Sequence, residues 1–171
     1  MRLSSAYPVI LSTDVAAAAR FWRTHFGFST TFEVDWYVSL RHQQDHQDQQ
    51  DPQNPQNPQQ WELGIVAAEH DTVPTTHRRP TGALLINLEV DDVDEQYRRL
   101  VLDGPLTAVL PLRSEPFGQR HFIVPAPDGV LVDVITPIAP DPTYASAVVP
   151  AVTPAAVMTP TAPTSTTAGN T

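Results

Sequence analysis

The sequence contains no cysteine and no lysine, and its ten basic residues are all arginine. Without cysteine, disulfides and thiolate metal sites are excluded. The formal net charge is −9. Nucleic acids and anionic membranes both require clustered cations, so this charge balance argues against either as a partner.

Long apolar runs are also missing, since none approaches the roughly 20 residues that span a bilayer. The start, MRLSSAYPVILSTD, has no signal-peptide core or cleavage site, and we therefore expect a cytoplasmic protein. A glycine-rich phosphate loop, a G-x-S-x-G elbow and an H-E-x-x-H motif are absent as well.

One short pattern is present twice. YPVILSTDV is followed by AAAARFWRTHFGF, and LINLEVDDV is followed by DEQYRRLVLDG. Each copy reads as an apolar strand, an aspartate, a helix with aromatic residues and a closing glycine, and strand-like runs follow each. The repeat predicts an α+β fold in which two βαβββ modules form a curved mixed sheet around a cavity.

The elements can be assigned along the chain. The first helix is expected to begin after a cap at Thr13 or Asp14 and to end at Gly27. The second helix is expected over 93–102, with Asp91 or Asp92 as its cap. Strands are predicted at 6–12, 28–34, 36–41, 61–67, 107–112, 120–125 and 130–136, with the PDG at 127–129 as a hairpin turn.

Composition sets the domain boundaries. We expect one domain over 1–140, with its first module at 6–67 and its second at 83–137. The polar, proline-punctuated insertion at 43–60 cannot bury enough apolar area to offset its ordering entropy, so we predict disorder there. The Ala/Pro/Thr-rich tail at 141–171 has no periodicity and is also predicted to be disordered.

Three segments carry a resemblance to a known family: STDVAAAARFWRTHFGF, LEVDDVDEQYRRL and PFGQRHFIVPAPDGVLVDVITP. They resemble the vicinal oxygen chelate superfamily, which includes glyoxalase I, extradiol dioxygenases, and fosfomycin and bleomycin resistance proteins. The resemblance covers about residues 7–137 without the insertion. It implies the paired-module fold and a homodimer. Whether the pocket closes within a chain or across a dimer stays open.

The resemblance also implies where a metal would bind. The family's enzymes hold a divalent ion through His or Gln, Glu, His and Glu on four strands, which fall on Tyr7, Glu62, Leu85 and Asp133. The two carboxylate positions are kept as Glu62 and Asp133. The two imidazole positions are occupied by Tyr7 and Leu85, and a leucine cannot bind a metal. We therefore expect no metal and no cofactor.

Several residues are predicted to line the pocket, and each kind of residue also has an alternative, structural role. The aromatic candidates could equally be core packing, and Arg120 could pair with Glu62 or Asp133. Asn87 could bond backbone, and His121 could be structural. The candidate ligand-binding residues are Tyr7, Trp36, Trp61, Glu62, Asn87, Phe117, Arg120, His121 and Asp133.

The favoured interpretation is a metal-independent protein that binds a small organic molecule, similar to bleomycin resistance proteins, and so sequesters a drug or metabolite. The expected ligand is flat, partly apolar and anionic or zwitterionic. One alternative is a glyoxalase-like lyase or isomerase, metal-dependent or acting through Glu62 and Asp133, with His121 as a further catalytic candidate. Another is an interaction protein that uses the insertion and the tail as binding arms.

Overall fold

The computed structural model describes residues 5–43 and 60–145, which form two βαβββ modules. The first module contains β1 (Val9–Ser12), α1 (Val15–Phe26), β2 (Ser29–Val34), β3 (Tyr37–Gln43) and β4 (Gln60–Ala67). The second contains β5 (Leu85–Glu89), α2 (Val93–Tyr97), β6 (Leu110–Glu115), β7 (Gln119–Pro125) and β8 (Leu131–Pro137).

Each module builds one four-stranded mixed sheet. The strand orders are β1-β4-β3-β2 and β5-β8-β7-β6, so the two sheets repeat the same topology. In each, the first strand pairs parallel with the last, and the remaining pairs are antiparallel. The predicted α+β class with two βαβββ modules is confirmed.

The helix α1 begins and ends where its sequence predicts. The Asp14 carboxylate accepts a hydrogen bond of 2.8 Å from the backbone N–H of Ala17, which satisfies a free donor of the first turn. Gly27 ends the helix in the left-handed conformation with φ of 68°, which costs glycine little. Between them, Ala18 and Trp22 are buried against the sheet.

The second helix also follows the prediction, with one irregularity. Asp92 is the cap, and its carboxylate accepts a hydrogen bond of 2.9 Å from the Glu95 N–H. After α2 the chain continues through a π-helical turn, Arg98–Leu102, so helical structure covers the predicted range. Leu100 in this turn is buried in the core.

One hydrophobic core serves both modules. Burial alternates along the strands, because successive side chains point to opposite faces. The residues that face the helices form a single cluster drawn from both sheets, including Ile10, Leu40, Leu63, Ile65, Phe122, Val124, Val132 and Val134. The sheet face away from the helices, here called the open face, carries the more exposed residues.

Some predicted boundaries need correction. β1 begins at Val9 rather than at residue 6, and β6 begins at Leu110 rather than at 107. The chain from 141 does not lose structure at once, because α3 (Pro142–Ala145) follows and the Asp141 N–H donates to the Pro116 carbonyl at 2.8 Å. Backbone pairing thus extends the ordered part past the predicted end at 140.

The two low-complexity segments fall largely outside the structure. Gln43 and Gln60 are the last and first residues of paired strands. The rest of the predicted insertion, 44–59, and the tail from 146 onward lie outside the described residues, as do the binding arms of the interaction hypothesis. Among residues 5–43 and 60–145, no helix has the length and hydropathy that crossing a membrane requires.

Candidate ligand-binding cavity

A cavity of about 830 Å³ lies on the open face of the first sheet. Val9, Leu11, Tyr37 and Val66 point into it from β1, β3 and β4, as strand alternation requires. The connection between the modules forms the rest of the lining, together with Phe32 and Trp36. We call residues 72–82 of this connection the linker wall, and its lining members are Thr72, Val73, Pro74, His77, Arg79, Pro80, Thr81 and Gly82.

Three aromatic rings, those of Phe32, Trp36 and Tyr37, line one part of the cavity. Trp36 stacks on the imidazole of His70, with ring centroids 3.8 Å apart and an angle of 5° between the planes. Tyr37 lies beside it at 5.9 Å between centroids, and Phe32 lies 6.2 Å from Tyr37. Because aromatic surfaces favour offset stacking with other rings, this side of the cavity suits a planar apolar molecule.

The linker wall is fixed to the sheet by hydrogen bonds. The Thr81 hydroxyl accepts from the Leu11 N–H at 2.9 Å, and the Thr81 N–H donates to the Leu11 carbonyl at 2.8 Å. Arg78 donates to the Val73 carbonyl at 3.0 Å and to the Asp71 carboxylate at 2.9 Å. The wall is therefore formed before any ligand arrives, which lowers the entropic cost of binding.

A glycine makes room for the phenol of Tyr37. A Cβ at Gly64 would lie 2.8 Å from the Tyr37 oxygen and 3.1 Å from Val9, so a larger residue would displace two cavity walls. Burial raises the pKa of Tyr37, and the neighbouring Tyr7 raises it further. The phenol stays protonated at neutral pH and can act as a donor.

A second polar cluster lies on the open face of the second sheet. The Nδ1 atom of His121 lies 2.8 Å from Asp133 Oδ1, and both side chains are buried. The other ring nitrogen, Nε2, lies 3.5 Å from Glu115 Oε1 and has no hydrogen-bond partner among residues 5–43 and 60–145. Burial raises the pKa of Asp133, and the bond to His121 opposes that shift in part.

With this geometry established, the family can be assigned. The family model described as Glyoxalase/Bleomycin resistance protein/Dioxygenase superfamily matches residues 5–134. The chain belongs to this superfamily. No curated protein sequence matches the chain.

Solved structures of the superfamily share the fold at low identity. A glyoxalase/bleomycin resistance protein/dioxygenase from Nocardioides is 17% identical, with a TM-score of 0.58 over 81% of this chain and 86% of its own. TnmS3, an antibiotic binding protein from Streptomyces sp. CB03234, is 20% identical, with a TM-score of 0.56 over 80% and 98%. A lactoylglutathione lyase from Agrobacterium tumefaciens is 17% identical, with a TM-score of 0.55 over 79% and 95%.

The superfamily's metal positions do not suit a metal in this chain. Glu62 is engaged by the Arg41 guanidinium at 2.8 Å, and Asp133 is engaged by His121. Leu85 is an exposed apolar side chain and offers no donor atom. Within the described residues, no three His, Cys, Asp or Glu side chains come together as a metal site. A cation at this place would have to compete with Arg41 for a carboxylate.

The predicted site residues divide into two groups. Trp36 lines the cavity, and Tyr7 is outside the lining but contacts the lining residue Tyr37. On the second sheet, Asn87 is in register with Asp133, next to His121. The cavity lining includes none of this second group. Phe117 is exposed in the turn between β6 and β7, with its ring 6.5 Å from that of His121.

Two predicted site residues lie on the wrong face. Trp61 shares the helix side of β4 with Leu63 and stacks edge-on with His42 at 5.9 Å. Because Glu62 faces the open side, its neighbour Trp61 cannot. Arg120 also points to the helix side of its sheet, since its neighbour His121 faces the open side. Its guanidinium donates to the Asp94 carboxylate at 2.6 and 2.7 Å. The predicted alternative, an ion pair of Arg120 with Glu62 or Asp133, is therefore wrong, because Arg120 pairs with Asp94.

Most of the cavity lining was not predicted from the sequence. Phe32 and Tyr37 could have been found, because alternation along paired strands β2 and β3 places them on the open face. The linker wall gives no such signal, since TVPTTHRRPTG has neither helical nor strand periodicity. Its role comes from where the connection crosses the sheet.

Proposed function

We propose that this protein binds a small organic molecule without a metal, in the cavity between the first sheet and the linker wall. The observation that carries the proposal is the cavity itself. Its volume of about 830 Å³ lies within the roughly 300–1,000 Å³ of small-molecule sites. Its lining combines aromatic and aliphatic walls with few polar groups, which is also typical of such sites.

The kind of binding follows from the superfamily's range. The antibiotic-binding TnmS3 shares the fold, so sequestration of a drug or metabolite, and thereby antibiotic resistance, is compatible with this scaffold. The engaged carboxylates at Glu62 and Asp133 favour binding over metal-dependent turnover. We place this activity in the cytoplasm, since a chain without cysteine does not depend on an oxidising compartment.

Intrinsic fluorescence can test the proposal. A panel of planar aromatic compounds should quench or shift the emission of Trp36 equally with and without EDTA. The matched control is the other partly exposed tryptophan, because Trp61 lies on the opposite sheet face. Trp36→Phe should abolish the signal and Trp61→Phe should retain it. No response from any compound, or a response that requires added metal, would refute the proposal.

The homodimer belongs to the same proposal. Large apolar side chains are exposed on the open faces of both sheets, among them Val9, Phe32 and Leu85 at 40%, 54% and 46%. A partner chain would remove this apolar surface from water. Light scattering should give twice the chain mass, and Leu85→Arg should shift it toward one chain. A wild-type monomer at micromolar concentration would contradict the dimer.

Acid–base catalysis is the second candidate, because of one specific feature. Asp133 orients the His121 ring through Nδ1, and Nε2 is buried without a hydrogen-bond partner in the described part of the chain. A histidine oriented in this way can act as a general base. The catalytic pair of the enzyme alternative is therefore His121 and Asp133 rather than Glu62 and Asp133.

Proton exchange would reveal such chemistry. Carbon acids incubated in D2O with the protein should gain deuterium if His121 removes a proton, and His121→Gln should stop the exchange. Trp36→Phe should leave it unchanged, because Trp36 lies in the turn between β2 and β3 of the first module. If no carbon acid exchanges above the uncatalysed rate, the catalytic candidate falls and the binding proposal stands.

A further inference from the structure

The charge of the cavity differs from that of the whole protein. The chain carries a formal net charge of −9, yet none of the residues that line the cavity is an aspartate or glutamate. The basic side chains in the lining are His77 and Arg79, and both come from the linker wall. The local environment therefore favours a negative group, against the overall charge.

The Arg79 guanidinium is available for a ligand. Among residues 5–43 and 60–145, its side chain makes no hydrogen bond or ion pair, and it is exposed at the edge of the cavity. Its neighbour Arg78 is different, because its Nε and Nη2 already donate to the Val73 carbonyl and to Asp71. Arginine presents two parallel N–H groups that match a carboxylate.

Thr81 supplies a second donor on the same wall. Its hydroxyl oxygen accepts a hydrogen bond from the Leu11 N–H, so its own proton remains to be donated. His77 lies on the same stretch, with its Nδ1 2.9 Å from the Thr76 hydroxyl. The linker wall thus offers donors to the same cavity that Phe32, Trp36 and Tyr37 line.

We propose that the cavity selects planar aromatic carboxylates, with the ring system against Trp36 and Tyr37 and the carboxylate on Arg79. This inference rests on the proposed function and adds the chemical class of its ligand. A hydrophobic cation would meet Arg79 and no compensating acid in the lining. The distant negative charges act through solvent, where the Debye length is about 8 Å at physiological salt, so the local cation outweighs them.

Matched acid and amide probes provide the test. Anthracene-2-carboxylic acid and anthracene-2-carboxamide have the same ring system and differ in charge. Both are titrated into wild type, Arg79→Gln and Arg20→Gln by calorimetry. Arg20 is the control, because it is an exposed arginine on α1 outside the cavity lining. The acid should bind wild type about tenfold more tightly than the amide, and Arg79→Gln should remove that preference.

The outcomes separate the two proposals. Loss of the acid preference in Arg79→Gln, with Arg20→Gln like wild type, supports the inference. Equal binding of acid and amide to wild type, unchanged by Arg79→Gln, overturns it while the proposed function stands. If neither probe binds, nor any compound of the fluorescence panel, both proposals fail. If Arg20→Gln weakens the acid as much as Arg79→Gln does, the overall charge is responsible and the inference is wrong.

Discussion

The carboxylate of Asp128 joins the second module to the first. It lies in the turn before β8 and accepts hydrogen bonds from the hydroxyls of Ser12 and Thr13 and from the Thr13 N–H. Burial alone would raise the pKa of Asp128, but these bonds together lower it below its usual value. The charged form is therefore better stabilised in the folded chain than in the unfolded one.

Asp128→Asn should destabilise the protein by about 1–2 kcal/mol at pH 7, because the charge is lost from three hydrogen bonds. Asparagine tolerates the positive φ of 59° at this position, so the turn itself should persist. Because the pKa of Asp128 is lowered in the folded state, its charged form stabilises the fold at pH values above the ordinary aspartate pKa. This stabilisation is lost as the pH falls through the folded-state pKa.

Urea unfolding at pH 7 and pH 3 measures the loss of stability in Asp128→Asn and its dependence on pH. The difference between wild type and Asp128→Asn should shrink at pH 3. Asp35→Asn serves as a control, because Asp35 is exposed and its side chain makes no hydrogen bond or ion pair among residues 5–43 and 60–145. A difference that is the same at both pH values would show that the charge of Asp128 contributes nothing.

Among the elements, the linker wall is the one that matters most to the proposed ligand binding, because it supplies eight of the residues that line the cavity. Arg78 braces this segment internally, because it donates to the Val73 carbonyl within the wall and to Asp71 just before it. Arg78→Gln should loosen the wall and weaken acid and amide probes by the same factor, roughly threefold to tenfold, because preorganisation is lost rather than a ligand contact. Calorimetry with both anthracene probes separates this result from that of Arg79→Gln. Selective weakening of the acid would contradict it.

The short helix α3 gives a second prediction at this scale. A chain that ends at 145 should have the same melting temperature as the full-length protein. A chain that ends at 140 should melt at a lower temperature, because it loses the hydrogen bond from the Asp141 N–H to the Pro116 carbonyl. That bond is worth about 1 kcal/mol, or roughly 2–4 °C in Tm. Differential scanning calorimetry of the three chains checks this. Equal melting temperatures would mean that α3 adds no stability.

The elements were predictable because their signals are local. Asp14, Gly27 and Asp92 terminate helices by bonds within a few residues, and the sequence displays them. The faces were predictable in principle as well, since alternation forbids Glu62 and Trp61 from facing the same side. The linker wall was not predictable, because its position depends on how the chain crosses the sheet between the modules.

For the molecule as a whole, the sequence predicted a cavity enclosed by a sheet that both modules form. The described residues instead form one core on the helix side, and the cavity belongs to the first module and the linker. The polar pair His121 and Asp133 lies on the other sheet, away from this cavity. Binding and any acid–base chemistry are thus assigned to different places, so they can be tested separately.

A map of NMR shift changes during titration with anthracene-2-carboxylic acid tests the location of binding most directly. In EDTA-treated protein, the resonances of the Trp36 indole and of the Val66 and Thr81 amides should move, while those of His121 and Asp133 stay in place. Shift changes centred on His121 and Asp133, or none without added metal, would contradict metal-independent binding in this cavity.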